Sequence, residues 1–457
     1  MFELGRELKR LFAVDRKSAA DTLSRGDPAL LELLDLKLLS DEARAADVAA
    51  GRMGAKDKPA RRLEAAVAWR EVARRTGDAA ALRKAAAIAE TAAAGFEAER
   101  RNEGWARARC EQAFCALLGA ELFGDPGLDA AAEVAFREVR ATVRGGVAAA
   151  LADAGIAAIE ARRRLEKGDA EAAREACRAF SAPIMALDNQ ARRATSVRPM
   201  AAEARLARAD LLCGWGARLK DEGLLRDAVA EAAAAAQRVD AAYEPLTWAR
   251  AEIARGQALA LLGEVTGDID SIATGAARLA DAVDHLTRDH SPLDWARTQV
   301  ALAQALQSLG EAAEDARAFE QAVSCYDRAN LVLKDAPALP IRGLAASARA
   351  VCLARSAELT GDMAVLDAAE AAMKMELAAK SARRDPVGWA LAQLHLARLY
   401  ETRVGMTGVD RGERASAALA LDAALDVFAE HGLRSLSVLA ADALARISGG
   451  VDVRQAD

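Results

Sequence analysis

The sequence predicts an all-α fold, a right-handed α-solenoid of about nine antiparallel helical hairpins. Three observations carry this. The segment Pro245-Leu246-Thr247-Trp248-Ala249-Arg250 returns as Pro292-Leu293-Asp294-Trp295-Ala296-Arg297 and, reduced, as Pro386-Val387-Gly388-Trp389-Ala390. Its tryptophans lie 47 and then 94 residues apart, one period and two. Self-similarity at a fixed spacing of roughly 20–50 residues marks stacked repeats. A second marker, Gly-Asp, runs in phase with it: Thr266-Gly267-Asp268 and Thr407-Gly408-Val409-Asp410 begin at the same offset after their tryptophans. Third, the 457 residues are 53% hydrophobic but only 4% aromatic, and alanine dominates. Alanine has the highest helix propensity, and its small side chain lets helices approach closely.

Taken in order, residues 1–55 read as an N-terminal capping hairpin. Phe2, Leu8, Leu11 and Phe12 supply its apolar face, and Gly26-Asp27-Pro28 its turn. Residues 56–431 read as the repeat array. Turns are expected near 77 (Thr76-Gly77-Asp78), 124 (Gly124-Asp125-Pro126), 168 (Gly168-Asp169), 267, 361 (Thr360-Gly361-Asp362) and 408. Two more, near 221 and 313, follow from the period and from Gly223 and Gly310. Glycine ends a helix because it takes the left-handed conformation without a Cβ clash. The aspartate after it accepts the free N–H groups of the next helix. Residues 432–457 read as a C-terminal capping helix, with Leu436, Leu439 and Leu444 on one face, and a tail. The pattern is weak over 130–244, so repeat boundaries there stay open.

Between turns the apolar spacing is helical. Trp295, Leu302, Leu306 and Leu309 lie at steps of three, four or seven, and so do Phe319, Ala322, Tyr326 and Ala329. The small-aromatic-small order Ala322, Tyr326, Ala329 resembles the second helix of a tetratricopeptide repeat. Trp295 with Leu302 and Leu306 is similar to an elongated version of that family's first helix. The chain as a whole resembles bacterial tetratricopeptide-like proteins with long Pro-Leu-x-Trp-Ala units, most clearly over 245–430. Its period is longer than the family's usual unit of about 34 residues. The resemblance implies a non-catalytic scaffold or adaptor that binds a peptide or protein segment along its concave face.

Other chemistry is thinly represented. The formal charge is −6, from 62 Lys and Arg against 68 Asp and Glu. Such a balance argues against non-specific nucleic-acid binding, which wants a basic surface. Interleaved charge of this kind reads as solvated helix faces. The six cysteines sit inside apolar stretches without a CxxC pair and read as reduced core residues. No phosphate-loop, Rossmann or nucleophile-elbow pattern is present. His285 and His290 are five apart, off the i,i+4 spacing of a metal helix. Catalytic residues, cofactor and metal are therefore each read as none.

The candidate partner-binding residues form a polar stripe. Arg107, Arg250 and Arg297 stand two residues after a tryptophan; Gln257, Gln304 and Arg398 stand nine after. Positions seven apart share a helix face, so the stripe suits a peptide backbone or its carboxylates. The tryptophans Trp105, Trp248, Trp295 and Trp389 recur with the repeat and read as packing wedges. Met1–Phe12, apolar and basic, suits either the solenoid cap or a peripheral membrane surface, with the cap preferred. An end-to-end homodimer is compatible with apolar solenoid ends. Without a secretory leader or an apolar spanning stretch, the expected compartment is the cytoplasm. A peptide-sensing regulator is the rival reading, and an all-helical enzyme a weaker one.

Overall fold

The structure, a computed structural model, describes residues 31–52, 56–165, 168–336, 339–379, 382–383, 385–431 and 433–449. The expectations placed on Met1–Phe12 and on a turn at Gly26-Asp27 lie outside these residues. The described residues contain helices and no strand. They form two compact units. One comprises the chain up to Ala301 with Ala336–Pro340; the other comprises Leu302–Asp335 and the chain from Ile341.

The first unit holds α1 (Leu36–Gly51), α2 (Lys58–Thr76), α3 (Ala79–Ala98), α4 (Asn102–Phe123), α5 (Pro126–Thr142), α6 (Gly146–Leu165), α7 (Ala170–Arg178), α8 (Ser181–Ala191), α9 (Arg198–Leu219), α10 (Glu222–Ala236), α11 (Pro245–Thr266) and α12 (Ile269–His285). Helix α13 (Pro292–Ala313) starts there and ends in the second unit. The rest are α14 (Ala316–Leu333), α15 (Pro340–Thr360), α16 (Met363–Ala379), α17 (Pro386–Thr407), α18 (Glu413–Glu430) and α19 (Arg434–Gly449). Within each unit consecutive helices pack as antiparallel pairs, and each pair leans on the next. The first helix of a pair is its A helix; these are α2, α4, α6, α9, α11, α13, α15 and α17.

The turns explain the repeat. Gly77, Gly124, Gly267, Gly361 and Gly408 all take φ between 67° and 73°. The following aspartate then accepts a backbone N–H of the next helix, as Asp78 does from Ala80 at 2.7 Å and Asp362 from Ala364 at 2.8 Å. The two turns lacking Gly-Asp in the sequence obey the same geometry. Lys220 (φ 52°) and Glu314 (φ 51°) stand in the glycine place, and Asp221 and Asp315 cap the next helices. Gly223 and Gly310, the sequence's pointers to those turns, are helical instead.

The weak stretch 130–244 departs from the pattern at one place. Where the array calls for a single second helix after α6, the chain makes α7, α8 and a short 3-10 turn at Thr195–Val197. Phe180, at the break, is buried with Ala173, Ile184 and Leu187.

Small residues set the helix spacing. A Cβ on Gly275 of α12 would lie 2.6 Å from the Gly256 carbonyl oxygen of α11, so these helices meet backbone to backbone. The tryptophans act as wedges. Trp248 and Trp295 share a cluster with Leu246, Ala249 and Leu286, and Trp248 meets the His285 ring edge-on at 4.9 Å. In the second unit Ala322, Tyr326 and Ala329 are all buried.

In the first unit, contact reaches beyond neighbouring pairs. Arg74 of α2 bonds Glu203 of α9, 129 positions away. A simple solenoid would leave such helices apart. Here the side chains of separate A helices reach one another across the inner face of the unit.

Candidate functional site: the inner face of the first unit

The A helices of the first unit carry one position in common register. Arg107, Glu203 and Arg250 each stand 17 residues before the left-handed turn residue that ends their helix, Gly124, Lys220 and Gly267 respectively. All three line one cavity of about 840 Å³, closed on its other sides by α1 and α2. Ligand sites typically span about 300–1,000 Å³. Ala45, Ala46 and Ala49 of α1 form a smooth wall, and Glu64, Val67 and Arg70 of α2 face it.

Several of the cavity's charges are already paired, mostly across helices. Arg250 meets Asp294 at 2.6 Å and Glu71 at 3.5 Å. Arg75, fully buried, donates to Glu71 at 2.8 Å and to the carbonyls of Leu34 and Leu31 at 2.7 and 2.8 Å. Arg70 pairs with Glu111, and Arg74 with Glu203. Glu32, just before α1, accepts the backbone N–H groups of Leu246 and Thr247 at 2.8 and 2.9 Å, and the Thr247 hydroxyl as well. His290 Nε2 contacts the Glu32 carbonyl at 2.7 Å. These contacts tie α2, α9, α11 and the start of α13 to the segment that enters α1.

The carboxyls divide into two groups. Burial would raise Glu71, but the Arg250, Arg75 and Arg74 guanidiniums outweigh it and hold its pKa at about 2. Asp294, likewise buried, is kept well below the usual carboxylate range by Arg250. Glu203 is lowered for the same reason, with Arg74 and Arg70 prevailing over burial. Three others move upward. Burial pushes Glu32 to about 6, although Arg250 and the Thr247 bonds pull it down. Burial pushes Glu64 to about 7, opposed by Arg61. Asp210 of α9 also reaches about 7, from burial and then from the charge of Glu121. Its side chain is exposed to solvent, so water screens this push more than it does at Glu32 or Glu64.

The stripe expected from the sequence scatters across these surroundings. Arg107 is exposed at the cavity, with no ion-pair or hydrogen-bond partner among the described residues. Arg250 lines the same cavity but is committed to Asp294 and Glu71. Arg297 pairs with Glu121 at 2.7 Å, and Gln257 is half-buried; neither lines the cavity. Gln304 and Arg398 belong to the second unit, where Gln304 is exposed and Arg398 lies 3.6 Å from Glu358.

The acidic half of the site escapes sequence reasoning. Interleaved charge reads as solvated surface, yet Glu71, Glu111 and Glu203 face inward against arginines. The signal for Glu203 is its distance from the turn, hidden because Lys220 replaces the marker glycine. Nothing in the sequence announces Glu32, whose partners Leu246 and Thr247 lie more than 200 positions on.

Other features are quieter. The six cysteines are free, and five are buried; burial pushes the thiols of Cys110 and Cys352 up to about 12. Among the described residues no group of His, Cys, Asp and Glu could hold a metal ion, and no helix is long and apolar enough to cross a membrane. A smaller cavity of about 410 Å³ in the second unit is lined by groups that satisfy each other, Arg403 with Glu370 at 2.7 Å and Lys374 with Glu370 at 2.6 Å.

No family model matches the chain, and no curated protein does. Solved structures similar to it include a Rap protein complexed with competence and sporulation factor, at 11% identity and a TM-score of 0.46, covering 87% of this chain and 99% of that one. A circular tandem repeat protein with novel repeat topology is similar at 16% identity and 0.30, covering 89% and 96%. The TPR domain of P58(IPK) is similar at 17% identity and 0.21, covering 89% and 98%. Repeated tryptophan wedges, left-handed turns and a buried small-aromatic-small helix, all within this chain, make its described residues an array of α-helical repeats.

Proposed function

We propose that the protein is a non-catalytic interaction scaffold, and that the inner-face cavity of its first unit holds a peptide or protein segment. The observation that supports this most is a cavity of about 840 Å³ where three A helices bring one register position together. Its walls are held by ion pairs that span helices, so the surface is formed before a binder arrives. Little ordering then falls on the protein side, which is what a preorganised site needs. Unpaired Arg107 and half-buried Glu64 give the walls chemical character, while the α1 alanines leave room for backbone.

The test is affinity selection from a combinatorial pool of octapeptides, run on the wild-type chain and on Ala45→Trp. Ala45 is exposed and lines the cavity, so the indole fills space without entering the core. Peptides retained by the wild type and lost by the variant are expected. No retention by either protein, or equal retention by both, contradicts the proposal.

A further inference from the structure

We infer that α1 is a movable wall of the cavity and that residues 31–35 are its latch, released to admit a binder. The inference rests on the binding reading above and adds the route by which the site opens.

The walls are not held alike. Helices α2, α4, α9 and α11 are braced to one another by side chains that cross the inner face: Arg70 with Glu111, Arg74 with Glu203, and Arg250 with Glu71. Among the described residues no such brace reaches α1. Arg44 pairs with Asp41 on α1 itself, and Asp47 meets Lys84 of α3 at 2.9 Å with both side chains wetted. Pairs of that kind contribute little. The packing of α1 is thin as well. It lies chiefly on α2 and buries Leu39, Ala43 and Ala50, two of them alanines that remove little apolar area from water.

What fixes α1 at a distance is the segment before it. Asp35 caps the helix, accepting the Leu38 N–H at 2.8 Å. Three residues earlier, Glu32 accepts the Leu246 and Thr247 N–H groups of α11 and the Thr247 hydroxyl, and its carbonyl meets His290 Nε2 at 2.7 Å. Between them Arg75 of α2 donates to the Leu31 and Leu34 carbonyls at 2.8 and 2.7 Å. Leu31 and Glu32 themselves line the cavity, as do Ala45, Ala46 and Ala49 of α1. A short stretch of chain thus fastens the alanine wall to α11.

This fastening differs in kind from the braces. Arginines hold Glu71, Asp294 and Glu203 below the ordinary carboxylate range, so the protein favours their charged form. Glu32 is the reverse: burial outweighs Arg250 and the Thr247 bonds and lifts it to about 6. Its ionised side chain gains by returning to water, which offsets part of what its hydrogen bonds contribute. The braced helices therefore stay in place while Glu32 withdraws, and α1 turns on α2 to widen the mouth of the cavity.

Hydrogen exchange read by mass spectrometry on the full chain tests the latch, in wild type, Glu32→Ala and the milder Thr247→Val. Residue 32 lies in a turn, so alanine there disturbs no helix. Losing hydrogen bonds to a charged group should speed exchange in α1 by about tenfold or more, less in Thr247→Val, while α4 and α9 keep their wild-type rates. Unchanged exchange in α1 overturns the latch, because α2 alone then holds the helix. Equal acceleration of α1, α4 and α9 overturns it too, because Glu32 is then a strut of the whole unit. Octapeptides retained by the wild-type chain report entry. Their association rate should rise on Glu32→Ala by a similar factor, since the open form is more populated. A wild-type association rate with α1 loosened overturns the entry route and leaves the scaffold reading standing. If no octapeptide is retained, the scaffold reading and the entry route fall together, and the exchange rates still decide the latch.

Discussion

Arg250 and Asp294, 44 residues apart, close a 2.6 Å ion pair between α11 and α13, and the same guanidinium reaches back to Glu71 of α2 at 3.5 Å. One side chain thus joins three A helices. Both carboxylates are held low by this arginine, so each depends on it. Removing one partner of a buried pair strands the other, at about 3–5 kcal/mol. Arg250→Ala is expected to lower unfolding stability by about 3 kcal/mol, read by chemical denaturation, and Arg250→Glu by more. An Arg250→Ala chain as stable as wild type would deny the pair its structural role. A solvated polar stripe would let charge reversal here spare the fold; the burial of Arg250 among two acids makes the opposite expectation.

Lys220 and Glu314 adopt the left-handed conformation that glycine fills in the sister turns. Side-chain-bearing residues are strained there, and glycine relieves the strain. Lys220→Gly and Glu314→Gly should each stabilise the chain by about 0.5–1 kcal/mol. A rise in melting temperature checks this, and a loss would mean the turns are held by contacts of the replaced side chains.

Stability should depend on pH in two opposed limbs. Glu71, Asp294 and Glu203 are depressed in the native state. Their contribution is present above the unfolded carboxyl range, about 4, and is lost as pH falls below it. Glu32, Glu64 and Asp210 are raised, to about 6, 7 and 7. The native chain holds their protons longer than the unfolded chain does, so it is destabilised as pH rises from about 4 to about 7 and levels off above that. Denaturation midpoints should therefore peak near about pH 4, and Glu64→Gln with Asp210→Asn should flatten the limb between about pH 4 and pH 7. A midpoint that climbs steadily from pH 5 to 8 would contradict this.

The fold is legible because its rules are local. A glycine or its stand-in ends a helix, an aspartate starts the next, and a tryptophan recurs to wedge the pair. Trp248 and Trp295 do in the structure what their period suggests. The site is half legible. Arg107 and Arg250 are marked by their distance from a tryptophan and do line one cavity. Glu203 is not marked, because α9 has alanine in the wedge position and lysine in its turn. Glu32 is beyond reach for a different reason. Its role arises where the curl of the array brings the start of the described chain to α11, and curvature is a sum over many helix contacts that no short motif records.

The contact between Arg74 and Glu203 tests that curl most directly, since helices α2 and α9 meet only if the first unit closes on its inner face. A double-mutant cycle with Arg74→Ala, Glu203→Ala and the pair, read by unfolding free energy, measures it. Residues in one ion-pair network couple by about 0.5–3 kcal/mol, and a value of about 1 kcal/mol or more is expected. Strictly additive effects would mean that the two helices do not touch, and the inner-face cavity would have no walls.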